Sequence, residues 1–176
     1  LDTNDVLAGS VVNSVAVANG IVAVAIEAPI KTNLGRMALY RASDLTLLSA
    51  RTVGAQPDMI TFTPDGNTVL TANEGEPSDD YQIDPEGSIS VIDVRDPRAP
   101  IVRTASFSAF TGQEASLRAQ GIRIYGPGAS ASQDFEPEYI AVSADGKTAF
   151  VTLQENNAIA KVDIATASVT NVFPLG

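Results

Sequence analysis

The chain lacks cysteine and histidine altogether, and basic residues are scarce. Without cysteine, its 176 residues can form neither disulfides nor thiolate metal sites. Without histidine, this segment has no Ser-His catalysis, no imidazole ligand and no histidine proton shuttle. Only 11 basic residues oppose 21 acidic ones, and the net charge is −10. Because nucleic acids and anionic membranes attract basic surfaces, neither is an expected partner.

The sequence also lacks long apolar runs. No stretch of about 18 apolar residues occurs, so no membrane insertion of this segment is expected. With 44% hydrophobic and 18% charged residues, the composition is that of a globular chain with one core. The chain opens on LDTND, with neither Met nor a signal-like apolar segment. Either a leader has been removed or the numbering starts inside a longer product.

What the sequence does contain is a repeated hairpin. Two alternating, β-branched runs flank a tight turn in SVAVANGIVAVAIE, in DMITFTPDGNTVLTANE and in EYIAVSADGKTAFVTLQE. A third strand follows each hairpin, in GRMALYRASD, GSISVIDVRD and NAIAKVDIAT. A fourth follows in LTLLSARTV, PIVRTASF and ASVTNVFPLG. The unit is therefore a four-stranded meander that occurs three times.

The spacing of these units predicts an all-β fold, a β-propeller. Gly20 and Gly66 lie 46 positions apart, and four-stranded repeats of about 40–50 residues are typical of propeller blades. We expect blades over 11–56, 57–107 and 137–176, with an irregular insert over 108–136. A β-sandwich is the alternative, but it does not predict self-similarity. Because three blades cannot close a ring, the expected partners include the remaining blades of the same protein.

Acidic residues cluster just before the third hairpin, in QDFEPEYIAV. Asp134, Glu136 and Glu138 occupy alternate positions, and Pro137 biases Glu136 toward an extended conformation. Alternate side chains of an extended segment point the same way, so the three carboxylates are expected to share one side. The alternative interpretation is a solvated acidic rim.

Two further acids are expected at the same end of the sheets. Glu155 follows the second strand of the third hairpin, and Glu74 follows the second strand of the hairpin before it. Carboxylates are hard oxygen donors, which suit Ca²⁺ or Mg²⁺. The sequence therefore predicts a Ca²⁺ site, with room for a second divalent or transition metal. Its predicted ligands are Asp134, Glu136, Glu138, Glu155 and Glu74.

Two other features leave alternatives open. The loop ANEGEPSDDYQIDPEG is acidic without a basic residue, and it is either a solvated connection or a second cation site. It does not have the EF-hand spacing. Arg123 lies on the insert just before the acidic segment, where it would either clamp a phosphate over the metal or pair with a nearby carboxylate.

Two long stretches carry a family resemblance. GAQPDMITFTPDGNTVLTANEGEPSDDYQIDPEGSISVIDV and GIRIYGPGASASQDFEPEYIAVSADGKTAFVTLQENNAIAKVDI resemble the choice-of-anchor I family of bacterial secreted or surface proteins. Its relatives include sea-urchin mesenchyme-specific cell-surface glycoproteins and proteins labelled atypical alkaline phosphatases. The likeness covers nearly the whole chain and corresponds to the N-terminal part of a longer propeller, expected to have seven blades.

The resemblance implies export, to the periplasm, the cell surface or the medium, and a link to calcium or phosphate esters. Two functions follow as expectations. The first is a metal-dependent phosphoesterase resembling alkaline phosphatases, in which Arg123 holds the phosphate ester and the carboxylates hold the cation. The second is a non-catalytic surface or matrix protein that calcium stabilises. A catalytic site keeps an open coordination position and a structural site does not, which a sequence alone does not reveal.

Overall fold

The computed structural model describes residues 2–176, which form three four-stranded antiparallel sheets. The first sheet contains β1 (Val11–Ala18), β2 (Ile21–Glu27), β3 (Leu34–Arg41) and β4 (Leu47–Ala55). The second contains β5 (Pro57–Phe62), β6 (Thr68–Asn73), β7 (Ser88–Asp93) and β8 (Ile101–Ser106). The third contains β9 (Pro137–Val142), β10 (Thr148–Leu153), β11 (Ala158–Asp163) and β12 (Ser168–Pro174). The predicted all-β propeller with four-stranded blades is confirmed.

Each sheet is a simple meander, with its strands hydrogen-bonded in chain order. The first strands lie innermost, because β1 packs against β5 and β5 against β9. The tight turns between first and second strands lie side by side. Asn19 donates its side-chain amide to the carbonyl oxygen of Asp65 at 2.9 Å, and Gly146 lies next to Pro64. Successive sheets are therefore related as neighbouring blades.

Apolar side chains fill the spaces between the sheets. Ala23, Met37 and Leu39 of the first sheet pack with Ile60 and Val69 of the second. A larger core joins the second and third sheets to the segment between them. On the outer face of the first sheet, a smaller cluster is partly covered by the N-terminal residues Val6 and Leu7. Burial of these alternate apolar positions is what the period-2 sequence pattern predicts.

The segment between β8 and β9, which was predicted as an irregular insert, contains helical structure. It holds a 3₁₀ turn (Ser108–Phe110), α1 (Glu114–Ala119) and α2 (Ala131–Asp134). Phe107, Phe110 and Phe135 pack together, with ring centroids 5.2–6.5 Å apart, and tie the segment to the core. No helix in residues 2–176 is long and apolar enough to cross a membrane.

Candidate functional site

Asp134 differs from its predicted geometry. It is the last residue of α2 and is not part of an extended strand, so the expected alternation begins only after it. The helix forms because Ser130 and Gln133 make a capping box. The Asp134 carboxylate accepts hydrogen bonds from the backbone amides of Tyr125 (3.0 and 3.1 Å) and Gly126 (2.6 Å). Its role in the structure is to anchor this part of the insert.

Asn156 joins the insert to the end of β10. This fully buried side chain donates to the carbonyl oxygen of Asp134 at 2.6 Å and to that of Arg123 at 3.1 Å. It also accepts a hydrogen bond from the backbone amide of Glu136 at 3.2 Å. One amide therefore fixes the backbone on both sides of α2 and positions Glu136 at the start of the third sheet.

Glu136 lies between α2 and β9 with only 6% of its surface exposed. Within the described chain its carboxylate accepts no hydrogen bond. Burial raises the pKa of Glu136 to about 7, and the charges of Glu76, Asp134, Glu155 and Glu138 act in the same direction. A buried carboxylate without a partner favours any cation or donor that reaches it.

Glu74 follows β6 and lies beside Glu76 on the loop 74–87, which joins β6 and β7. Gln56 donates to Glu74 at 2.8 Å and to Glu76 at 3.0 Å. Burial raises the pKa of Glu74 to about 8, assisted by the charges of Glu76 and Asp58. The pKa of Glu76 is lowered instead. Burial alone would raise this pKa, but the hydrogen bonds from Lys31 and Gln56 outweigh that effect.

Asp58 and Glu138 occupy equivalent positions in the second and third sheets. Each follows a proline that begins the first strand of its sheet. Burial raises the pKa of both; Glu27 and Glu76 add to the effect on Asp58, and Glu155 and Asp58 to that on Glu138. Gln154 donates a hydrogen bond to Glu138. The repeat of Pro57-Asp58 in Pro137-Glu138 was visible in the sequence, yet only Glu138 was predicted as a site residue.

Six carboxylates lie at this end of the sheets, and we call them the acidic face: Asp58, Glu74, Glu76, Glu136, Glu138 and Glu155. They come from two neighbouring blades, and each contributes to the electrostatic repulsion described above. Lys31 is the one lysine or arginine in the described residues that forms an ion pair with this face, at 3.0 Å from Glu76. Of the five predicted ligands, four are therefore brought to one face, and Asp134 lies behind it.

The donor chemistry of the acidic face fits Ca²⁺, but its geometry is not that of a formed metal centre. Ca²⁺ takes 6–8 oxygen ligands at 2.3–2.6 Å. Among residues 2–176, no three acidic side chains are arranged to hold a metal ion. A carboxylate oxygen nearby would favour a cation or a hydrogen-bond donor, because Asp84 Oδ1 is buried and lacks a hydrogen-bond partner in this part of the chain. It borders a cavity of about 10 Å³, the space of one water.

Arg123 lies in an open cleft beside the acidic face. This cleft has a volume of about 570 Å³ and is also lined by Arg118 and Glu155. Arg118 is used internally, because its Nε donates to the carbonyl oxygen of Ile124 at 2.8 Å. The exposed guanidinium of Arg123 makes no ion pair or hydrogen bond with residues 2–176. It is therefore free to bind an anion.

Solved structures with similar folds are propellers and other large proteins. A β-propeller domain of Cps50 (Swd1) from Myceliophteria thermophila is 10% identical with a TM-score of 0.57, and the match covers 94% of this chain and 42% of that one. Hydrazine synthase from Kuenenia stuttgartiensis is 10% identical, with a TM-score of 0.57 and coverage of 85% and 39%. A protein of unknown function from Desulfotomaculum acetoxidans is 12% identical, with a TM-score of 0.59 and coverage of 94% and 43%. At these identities the likeness shows the fold alone.

The chain spans about two fifths of the length of these structures. Curated proteins include no significant match to it. The sequence profile of the choice-of-anchor I domain, in contrast, matches residues 2–176, which confirms the resemblance noted in the sequence. The chain belongs to the choice-of-anchor I domain family.

Proposed function

We propose that the protein is a secreted or surface propeller whose acidic face binds Ca²⁺. The observation that carries the proposal is the gathering of six carboxylates from two blades at one end of the sheets, with a single lysine paired to them. Clustered, partly buried carboxylates repel one another, and a divalent cation relieves that repulsion. The choice-of-anchor I membership supports a location at the surface or outside the cell.

The ligands in this proposal are Glu74, Glu136, Glu138 and Glu155. Binding requires these side chains to converge, with further oxygen donors from water or from other blades of the propeller. Asp134 contributes by holding the backbone that precedes Glu136, since hydrogen bonds from Tyr125 and Gly126 already engage its carboxylate. Ca²⁺ bound here would cross-link two blades and so stabilise the ring.

Chelation of the full-length protein tests this proposal. A ligand that binds only the folded state stabilises it by about 3 kcal/mol at a hundredfold excess over Kd. We therefore expect a chelator to lower the melting temperature and Ca²⁺ to restore it. Glu136→Gln should blunt that response, whereas Asp96→Asn, in the loop after β7, should not. An unchanged melting temperature together with no divalent metal in elemental analysis would identify the acidic face as a solvated rim.

A second candidate function is hydrolysis of phosphate monoesters. One observation favours it: the free guanidinium of Arg123 and the carboxylate of Glu155 line the same cleft, next to the proposed cation site. Arginine binds phosphate oxygens in a bidentate manner, so Arg123 would orient a phosphate ester there. The resemblance noted in the sequence implies two different roles. Relatives labelled atypical alkaline phosphatases would favour a phosphoesterase, and mesenchyme-specific cell-surface glycoproteins would favour a matrix role.

An assay of p-nitrophenyl phosphate hydrolysis separates the two functions. If the full-length protein is a phosphoesterase, activity should disappear with chelator and should fall at least tenfold in Arg123→Ala. Arg98→Ala, an exposed arginine outside the cleft, is the matched control. Metal-dependent stability without hydrolysis would instead establish a non-catalytic, calcium-stabilised surface or matrix protein.

A further inference from the structure

A second cleft opens between the loop 74–87 and the insert. It has a volume of about 330 Å³, and we call it the tyrosine cleft. Its lining combines aromatic and acidic side chains. Among the residues that border it are Lys31, Glu76, Tyr81, Tyr125, Glu136 and Glu155. The calcium proposal does not use the side chains of Tyr81 and Tyr125, and both residues are about half exposed.

Lys31 shows that one end of the tyrosine cleft already accepts an ammonium group. Its Nζ lies 3.0 Å from Glu76 Oε2 and 3.9 Å from Asp79 Oδ1. The hydrogen bond to Glu76 raises the pKa of Lys31, so the ammonium group at this end of the cleft is charged at neutral pH. The carboxylates at the other end have no such partner.

Glu136 and Glu155 form that other end. Glu136 is 94% buried and borders the cleft, and its carboxylate receives neither a hydrogen bond nor an ion pair from residues 2–176. Glu155 is exposed at the rim and is likewise unpaired within the described chain. Two carboxyl groups without a partner in the described residues therefore border a space large enough for a small organic molecule.

The two aromatic rings distinguish the preferred cation. Tyrosine faces attract ammonium groups through their quadrupoles, and alkylated ammonium ions are bound in this way. A small metal ion instead needs several converging oxygens, an arrangement that no three acids adopt in residues 2–176. In addition, neither Tyr81 nor Tyr125 packs against another aromatic ring in the described residues. Phe107, Phe110 and Phe135, in contrast, pack against one another.

We propose that the tyrosine cleft binds an organic ammonium ion, with Glu136 and Glu155 compensating its charge and Tyr81 and Tyr125 contacting its alkyl groups. The site goes beyond the calcium proposal and does not depend on it. Lys31 pairs with Glu76 at one end of the cleft, so the ammonium group of the ligand would lie at the other end, beside Glu136 and Glu155.

Tetramethylammonium chloride titrated into the full-length protein tests this site, with chelator present so that calcium plays no part. We expect saturable binding by calorimetry that an equal concentration of sodium chloride does not reproduce. Tyr125→Leu and Tyr81→Leu should each weaken binding about fivefold. Tyr125→Phe, which keeps the ring, should bind nearly as well as the parent. Ile83→Ala, at an exposed residue of the loop 74–87 that does not line the cleft, is the control.

The variants separate this proposal from the calcium site. Glu136→Gln should weaken the binding of both Ca²⁺ and tetramethylammonium, because Glu136 borders both sites. The tyrosine variants should affect tetramethylammonium alone, and Glu74→Gln should affect Ca²⁺ alone. The proposal would be overturned, whatever the calcium result, if Tyr125→Leu bound tetramethylammonium as well as the parent does. It would also be overturned if sodium chloride at equal concentration gave the same calorimetric signal.

Discussion

Asn156 is a single side chain on which the position of the site depends. It is fully buried, and it bonds to backbone atoms of Arg123, Asp134 and Glu136. We expect Asn156→Ala to destabilise the full-length protein by about 2–4 kcal/mol, because several buried polar groups would lose their partner. Urea unfolding measures this loss. Asn171→Ala, at an exposed position of β12, should change stability by less than about 0.5 kcal/mol.

The aspartates of the tight turns are expected to contribute to acid sensitivity. Hydrogen bonds from Thr63 and Asn67 lower the pKa of Asp65, and hydrogen bonds from Ser143 and Lys147 lower that of Asp145. A carboxylate with a lowered folded-state pKa stabilises the fold above its unfolded pKa of about 3.9, and this stabilisation is lost as the pH falls through the folded pKa.

The corresponding test is a series of melting temperatures from pH 6 down to pH 2.5. The double variant Asp65→Asn/Asp145→Asn should lose less stability over the acid part of this range than the parent does, since its turns no longer titrate. Asp96→Asn, which lies outside both turns, should keep the parent's profile. Parallel profiles of parent and double variant would mean that other carboxylates govern acid unfolding.

The site residues differ in how far the sequence could predict them. Glu74 and Glu138 follow from strand boundaries, because a proline start and a strand end locate them at one edge of a meander. Asp134 was predicted to be extended, although SASQD contains the S-x-x-Q capping box that makes it helical. Tyr81 and Tyr125 lie on segments without periodicity, so only tertiary structure brings them together.

The hairpins were the most predictable elements. Their turns need left-handed backbone at specific positions, and Gly20, Gly66 and Gly146 adopt φ of 69–75° there. The helices of the insert were harder to predict, because α1 and α2 are too short to form by propensity alone, although the capping box of α2 is a local signal. The packing of Phe107, Phe110 and Phe135 and the hydrogen bonds of Asn156 stabilise them instead.

Gly87 marks the point where the second sheet meets the insert. A Cβ at this position would overlap the carbonyl oxygen of Phe135 and lie 2.8 Å from Pro137 Cδ. We therefore expect Gly87→Ala to destabilise the protein by about 3 kcal/mol or more, since backbone atoms must move. The same change should weaken Ca²⁺ binding, because it displaces the segment that carries Glu136.

A matched glycine variant separates steric overlap from backbone strain. Gly112 has a φ of 85° and no atom within 4 Å of an added Cβ. Gly112→Ala should cost only about 1–2 kcal/mol, the penalty for a left-handed residue with a Cβ. Thermal unfolding of both variants in the full-length protein gives the comparison. Similar losses in the two would show that the Gly87 contact is easily relieved.

At the scale of the whole molecule, the outer sheets present apolar faces away from the second sheet. On β1, Val15 and Val17 are at least 60% exposed, although Val6 and Leu7 cover part of the same face. On the third sheet, Tyr139 and Phe150 are exposed on the side opposite the buried Val151. In a closed propeller each such face packs against a neighbouring blade, which is the arrangement that the sequence repeat predicts.

These faces lead to the prediction that residues 1–176, expressed alone, do not form a stable monomer. Exposed sheet faces and unpaired strand edges associate with other chains, so the isolated segment should aggregate or fold poorly. Size-exclusion chromatography and thermal unfolding provide the measurements. Replacing Val15 and Val17 with threonine should reduce aggregation, because threonine keeps the β-branched shape and lowers the apolar area. A monomeric sample of the unmodified segment with a cooperative unfolding transition would contradict the prediction, since three blades would then be sufficient for an independent core.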